Sequence, residues 1–448
     1  MAKQFMVGFA REDITPEEFN TLAGFGNDLY RMCNNVLDHV FGTVIILQDA
    51  DGNRVAMCSV DLLNAKEDTV VKMARDSISE ATNIPADHIM VNVTHTHAAP
   101  SFYNPHDERT GPFLKLYAKQ MAKAAVEAIE DLKPATALVG KTIAEKLTFK
   151  RHYVLEDGTV ATHGSNQKKL IAVAHAAPAD EQLQLIRFVR EGGRDIVLVN
   201  FQCHATTTSG FTRYDMSADF PGTMRDHLEG LTGCLCAYYQ GACGDLVPRS
   251  RFEELNIIDN GDYVTHGRKI AEYAFDCLQN KMQPAELGPI KTVQFTYSGP
   301  VDHSEDDRVE DAKKVREGFY DLPTDADRRA RLAQYGFNSY LQAGHIIRRA
   351  ASGDTHSFEL DAVRMGDISF ATAPFEMFSS NGKFVKDNSP YKMTFMCAYC
   401  NGANSYIADD AAYDYTTYCY EVDSRTFPRG GGEDIASNLV RLLEGLQD

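Results

Sequence analysis

Four apolar runs in this sequence end in the same way: a β-branched or aromatic stretch, then polar or metal-type side chains, then glycine or proline. They are VNV-THTH-AAP (91–100), LVNFQ-CH-ATTTSG (198–210), YYQ-GACGDLVP (238–248) and FATAP-FE-MF (370–378). Strands that stop like this deliver side chains to one rim of a sheet, where α/β proteins place their sites. The feature predicts an α/β fold of mixed sheets with flanking helices and a convergent site at the strand ends.

The rest of the chain reads consistently with that. GTVIILQ and RVAMCSVDLL flank the turn residues 49–53 and predict a β-hairpin. Val70, Val71, Ala74, Ile78 and Ala81 follow a helical period, and HIMVNVT is the next strand, so the order is β-α-β. Pro112 opens a long amphipathic helix to about Leu132, and LQLIRFVREGGRDIVLVNFQ predicts a hairpin turning at Gly192-Gly193. A further helix starts near Ser217–Pro221, CLCAYYQ is a strand, FELDAVRMGDISFATAP a hairpin, MTFMCAYCNG a buried strand and EDIASNLVRLLEGL a terminal helix. Residues 301–350 are charged and helical by composition, a solvated excursion or lid. With no low-complexity linker and no repeat, residues 1–448 read as one catalytic domain.

Composition removes several function classes. With 63 acidic against 45 basic residues the formal net charge is −18, which leaves no electrostatic footprint for nucleic acid. No apolar run approaches the roughly 18 residues of a membrane span, and the apolar patch Phe5–Ala10 is too short for a secretory core segment. The ten cysteines form no CxxC pair or regular framework, so they read as reduced and buried, which predicts a cytoplasmic protein. Homo-oligomerisation stays open.

At the strand exits, His95 and His97 point to one side if their strand continues through them. They could share a metal, or one could bind it while the other meets substrate. His204 repeats the placement of His95, Glu376 supplies a carboxylate, and a tyrosine cluster follows: Tyr406, Tyr413, Tyr415, Tyr418 and Tyr420. Neutral imidazoles with a carboxylate suit Zn²⁺. Asp61 could orient a ligand histidine, Asp219 reads as a neighbour of a helix N-cap, and Asp245 as a support within a Gly-rich turn.

The joint order of these segments resembles the catalytic domain of the neutral, non-lysosomal ceramidase family. VGFAREDITP, THTHAAP, FQCHATTT, QGACGDLVP, APFEMF and NGANSYI…YCYE resemble that family's segments in colinear order, from about residue 6 to 435. The resemblance implies zinc held by His95, His204, Glu376 and Tyr406, with His97 beside the reacting groups. It also implies a substrate-contacting Arg151 and a site tyrosine at Tyr420. Three departures weaken the lipid specificity. Val247 stands where the family carries serine, and Phe375 replaces a glycine and should narrow the pocket. No immunoglobulin-like domain follows within the chain. The absence of tryptophan and of a basic amphipathic segment points the same way.

The expected activity is therefore zinc-dependent hydrolysis. Metal-activated water would attack an amide, ester or lactone carbonyl of a small soluble substrate, assisted by His97, Arg151, Tyr420 and Asp245. Two rivals remain at this level: a zinc-dependent lyase or isomerase acting on a sugar acid or similar polar compound, and a non-catalytic scaffold with a structural, closed metal site.

Overall fold

Two β-α-β units carry the two histidine segments. In the first, strands Arg54–Val60 and Ile89–Val93 run parallel, joined through the helix Lys72–Thr82. In the second, Ile196–Phe201 and Leu235–Gln240 run parallel, joined through the helix Asp219–Thr232. A computed structural model describes residues 4–25, 31–102, 107–162, 171–208, 212–256, 262–415 and 419–447 of the chain.

Both units belong to one nine-stranded sheet and occupy its opposite ends. The order runs Leu235–Gln240, Ile196–Phe201, Gln182–Arg190, Lys133–Ile143, Met6–Asp13, Phe41–Gln48, Arg54–Val60, Ile89–Val93, with Gln283–Ala285 also pairing to Lys133–Ile143. The interior pairs are antiparallel, and the turns of the two tight hairpins among them, Phe41–Gln48 with Arg54–Val60 and Gln182–Arg190 with Ile196–Phe201, are plain in the sequence. Asp49, for example, accepts from the backbone N–H of Asp51 and of Asn53, each at 2.9 Å.

The sheet curls until its ends meet through side chains rather than a ladder. Gln240 donates its backbone N–H to Asn92 Oδ1 at 2.9 Å and its side-chain amide to the carbonyls of Thr94 (3.0 Å) and Cys203 (2.9 Å). One buried glutamine thus ties together both chain segments that deliver histidines.

A second sheet packs against the first, in the order Ile290–Pro300, Thr355–Met365, Ile368–Thr372, Met393–Cys397. Its first three strands are antiparallel neighbours and its last pair is parallel. Val7, Ile45, Leu198 and Tyr239 of one sheet share a core with Met365, Phe370 and Phe395 of the other. The predicted hairpins, the long helix (Thr110–Glu130) and the terminal helix (Gly431–Gly445) are all present.

The charged excursion is helical, with helices Val309–Arg316, Asp325–Gln334 and Tyr340–Ala350 around a small core of its own. No described helix is long and apolar enough to cross a membrane. All ten cysteines are unpaired and buried.

Candidate metal centre

The strand leading to THTH stops at Val93, before the histidines. Alternation along a strand is therefore not what aligns them. His95 adopts the left-handed region at φ 60°, costly for a residue with a Cβ and held by its surroundings. Thr94 donates its backbone N–H to Val60 O at 2.9 Å, and His97 donates its own to Ala205 O at 3.0 Å. The resulting bend turns both rings inward, with His97 Nε2 3.3 Å from His95 Nε2.

The tautomer of His95 follows from its partner. Its Nδ1 lies 2.7 Å from the carbonyl of Leu63, which can only accept, so Nδ1 carries the proton and Nε2 presents a lone pair. His204 is fixed in the same way, with Nδ1 2.7 Å from Cys243 O and 2.9 Å from Leu246 O. Asp219 steadies the loop after it, accepting from Thr208 N at 2.8 Å and Thr208 Oγ1 at 2.6 Å. Asp219 thus supports the loop after His204 from the first residue of its helix.

Glu376 completes the convergence. Its Oε2 lies 3.3 Å from His204 Nε2 and 3.6 Å from His95 Nε2. Gly244 permits this approach, because a Cβ there would sit 2.3 Å from Glu376 O. Glu376 pairs with Tyr406 in a short parallel bridge, which sets that tyrosine beside it.

These separations fit a metal. Tetrahedral zinc with bonds of about 2.0–2.1 Å places its nitrogen and oxygen donors roughly 3.3 Å apart. Two lone pairs and a carboxylate facing one another are a cation-binding donor set. His97 differs from the other two histidines. One of its ring nitrogens lies within 4.8 Å of theirs, but its Nδ1 is buried and finds no hydrogen-bond partner among the described residues. Metal-ligating histidines almost always anchor their second nitrogen, and His97 does not. Gly24, at φ 101°, packs so closely that a Cβ would lie 2.7 Å from His97 Nδ1. Burial, with His95 and His204 adding to it, pushes His97 well below its ordinary pKa, so it is neutral.

Arg151 lies beside Tyr406 and hydrogen-bonds its side chain. Its Nε is 2.9 Å from Glu421 Oε1, an ion pair rather than an aligned hydrogen bond. Glu421 is a hub. Its Oε2 is 3.0 Å from His152 Nε2 and 3.3 Å from Cys419 Sγ, and Thr162 Oγ1 donates at 3.3 Å. Tyr420 stacks edge-on to Tyr406, ring centroids 5.6 Å apart. Burial drives the Tyr406 phenol well above its ordinary value and the Tyr420 phenol up to about 12, so both stay protonated.

Asp245 is not among the histidines. It pairs with buried Lys150 and accepts from Ser379 N at 2.7 Å, bracing the chain next to Arg151 and just after Glu376. Two sequence expectations are corrected. Phe375 does not narrow the metal site, because it faces the core, 4.6 Å from Phe358 and 6.0 Å from Phe427 between ring centroids. Asp61 does not orient a histidine. Its carboxylate takes both arms of Arg225, at 2.7 and 2.6 Å, and a backbone carbonyl does the orienting instead. Tyr415 packs on His152, Tyr413 reaches the Phe427 carbonyl, and Tyr418 lies outside the described residues.

Sequence reading missed two residues here. Tyr399, in the left-handed region at φ 54°, lays its ring 3.9 Å from that of His95, with its hydroxyl 3.3 Å from Cys243 Sγ. Glu421 was visible only as the last letter of YCYE. Nothing local to either residue marks it, since Tyr399 acts through His95 and Cys243 and Glu421 chiefly through Arg151, His152 and Thr162, all far away in sequence.

No protein-family model matches the chain, and comparison with curated protein sequences finds no similar relative. Solved structures do match. Neutral ceramidase from Pseudomonas aeruginosa superposes with a TM-score of 0.73 at 16% identity, covering 99% of this chain and 74% of that one. A ceramidase complexed with C2 gives 0.72 at 15% identity, covering 99% and 75%. The chain has the fold of the neutral ceramidases.

Proposed function

We propose that this protein is a zinc-dependent hydrolase that cleaves the amide bond of a small N-acyl compound, with residues 1–448 acting as one catalytic unit. In this reading His95, His204, Glu376 and Tyr406 hold the metal. The observation that carries it is the pair of anchored imidazoles. His95 and His204 each fix Nδ1–H on a backbone carbonyl and aim Nε2 toward one carboxylate oxygen, 3.6 and 3.3 Å away. The shared fold supports the amide as the bond, since the structural neighbours are ceramidases.

When bound, zinc supplies a Lewis acid and lowers the pKa of water toward neutrality. The chain's own residues do the rest. Neutral His97 accepts and later returns a proton at Nε2, the atom that faces the cluster. Arg151, held by Glu421, and the protonated phenol of Tyr420 offer donors where an oxyanion develops. Val247 has no hydroxyl, so no nucleophilic side chain replaces water at that position.

The test joins metal analysis of the purified protein to a screen of N-acyl compounds, esters and lactones. About one zinc per chain and release of a free amine with net uptake of water support the proposal. Turnover of a sugar acid without water uptake overturns it in favour of a lyase or isomerase.

A further inference from the structure

One arginine beside the candidate site has neutral acceptors in place of a carboxylate among the described residues. On the helix Tyr340–Ala350 and its neighbours most cations are matched. Arg349 donates to Glu305 at 2.5 Å, Arg425 pairs with Asp302 and Glu305, and Arg308 pairs with Glu305. Arg316 lies over the Tyr340 ring at 3.9 Å. Arg151 is matched by Glu421.

Arg348 is different. Among the described residues its guanidinium meets only neutral acceptors, Ser405 Oγ at 2.9 Å and Ser424 O at 3.5 Å. Those two contacts place it. Ser405 immediately precedes Tyr406, and Ser424 follows the short helix Tyr420–Asp423, so Arg348 spans the two segments that carry the site tyrosines. The residue is exposed, hence reachable from solvent.

Three positions earlier, on the same helix face, His345 sets its ring 6.2 Å from that of Tyr420. Its Nε2 is buried and finds no hydrogen-bond partner among the described residues. Burial, then Arg348, Arg349 and Arg316, push its pKa down to about 3, so it adds a neutral donor rather than a second charge.

We propose that the substrate of this site is an anionic amide, an N-acyl amino acid whose carboxylate binds Arg348 and His345 beside Tyr420. This rests on the amide-hydrolase reading above and adds the substrate class to it. A single unmatched guanidinium suits a single negative charge, which favours a carboxylate over a phosphate dianion. The excursion 301–350 then has a part in function, as the element that carries the anion-recognising residues to the rim.

The experiment compares kcat/KM for N-acylglycines, from acetyl to dodecanoyl, with the matching N-acylglycinamides. Wild type should prefer the carboxylates by about tenfold to a hundredfold, the scale of a charge-assisted hydrogen bond. Arg348→Met should bring that ratio close to one, chiefly through KM, and Arg348→Lys should keep part of it with an unchanged melting temperature. A wild-type ratio at or below one overturns the proposal. So does a ratio that survives in Arg348→Met, because the carboxylate would then be bound elsewhere. If neither series is cleaved, the amide reading fails by itself, and calorimetric titration with N-dodecanoylglycine and its glycinamide decides the anion site. Carboxylate-selective binding lost in Arg348→Met supports it, and equal binding of the two probes overturns it.

Discussion

The histidine cluster and the Glu421 hub each bring three metal-type donors within 4.8 Å of one another, all of them buried or nearly so. They differ in where the hydrogens point. In the first, His95 and His204 direct N–H outward to carbonyls and lone pairs inward. In the second, an imidazole, a thiol, a hydroxyl and a guanidinium all converge on one carboxylate. The first arrangement gathers electron-rich atoms that repel unless a cation joins them. The second is electrically complete, because Arg151 already balances Glu421. Residue types alone do not make a metal site; the polarity imposed by the surrounding backbone does.

The largest effect should follow from breaking the outward anchors' ligands. His95→Ala and His204→Ala should each lose zinc and reduce turnover to background. Metal analysis after dialysis checks this, and stoichiometric zinc in both variants would remove the ligand assignment.

Next in size is the hub. Glu421→Ala leaves Arg151 and His152 buried without their anion, which should cost on the order of 3–5 kcal/mol in urea unfolding, while zinc stays near one per chain. A parallel loss of metal would make the hub a metal site after all. The pH dependence carries a sign. Burial pushes Glu421 up, but Arg151 and His152 outweigh it and hold its folded pKa well below the usual carboxylate range. A depressed carboxyl contributes stability in full above its unfolded pKa and loses it as pH falls toward the folded one. The stability gap between wild type and Glu421→Ala should therefore be flat from pH 8 to 5 and narrow only below about 4.5.

His97 sharpens the comparison from inside the first cluster. With Nδ1 unanchored, His97→Ala should keep most of its zinc yet lose about 10²-fold or more in kcat/KM, the scale of a positioned acid–base group. Equal metal loss in His97→Ala and His95→Ala would make both imidazoles ligands and would displace Tyr406.

What the sequence made legible follows the same division. Strand exits, hairpins and the helical excursion were readable because periodicity and turn residues are local signals. The second sheet's first strand, Ile290–Pro300, was not, since its half-exposed face blurs the alternation. Glu376 and Tyr406 were found through colinear motifs, but their pairing across a two-residue bridge is long-range. Phe375 was misread because its neighbour's role says nothing about which face it takes. The inward turn of THTH rests on a left-handed His95 and a carbonyl at Leu63, and no pattern of letters announces either.

The smallest effect is expected at Cys419, and it separates the two clusters most cleanly. Its Sγ lies 3.3 Å from Glu421 Oε2 and 3.6 Å from His152 Nε2, distances a zinc ligand could also show. Burial, reinforced by Glu421, drives the thiol well above its ordinary pKa, so it stays protonated and serves as a weak donor. In Cys419→Ser a hydroxyl replaces it and still reaches the carboxylate, so stability should change by about 1 kcal/mol or less. Cys419→Ala should lose slightly more, and zinc content should be unchanged in both. A thiolate ligand behaves differently, because serine is a poor substitute for it at zinc. If Cys419→Ser sheds a full equivalent of metal while Glu421→Ala does the same, the inward-pointing hydrogens assigned to the hub are wrong, and the two clusters are of one kind.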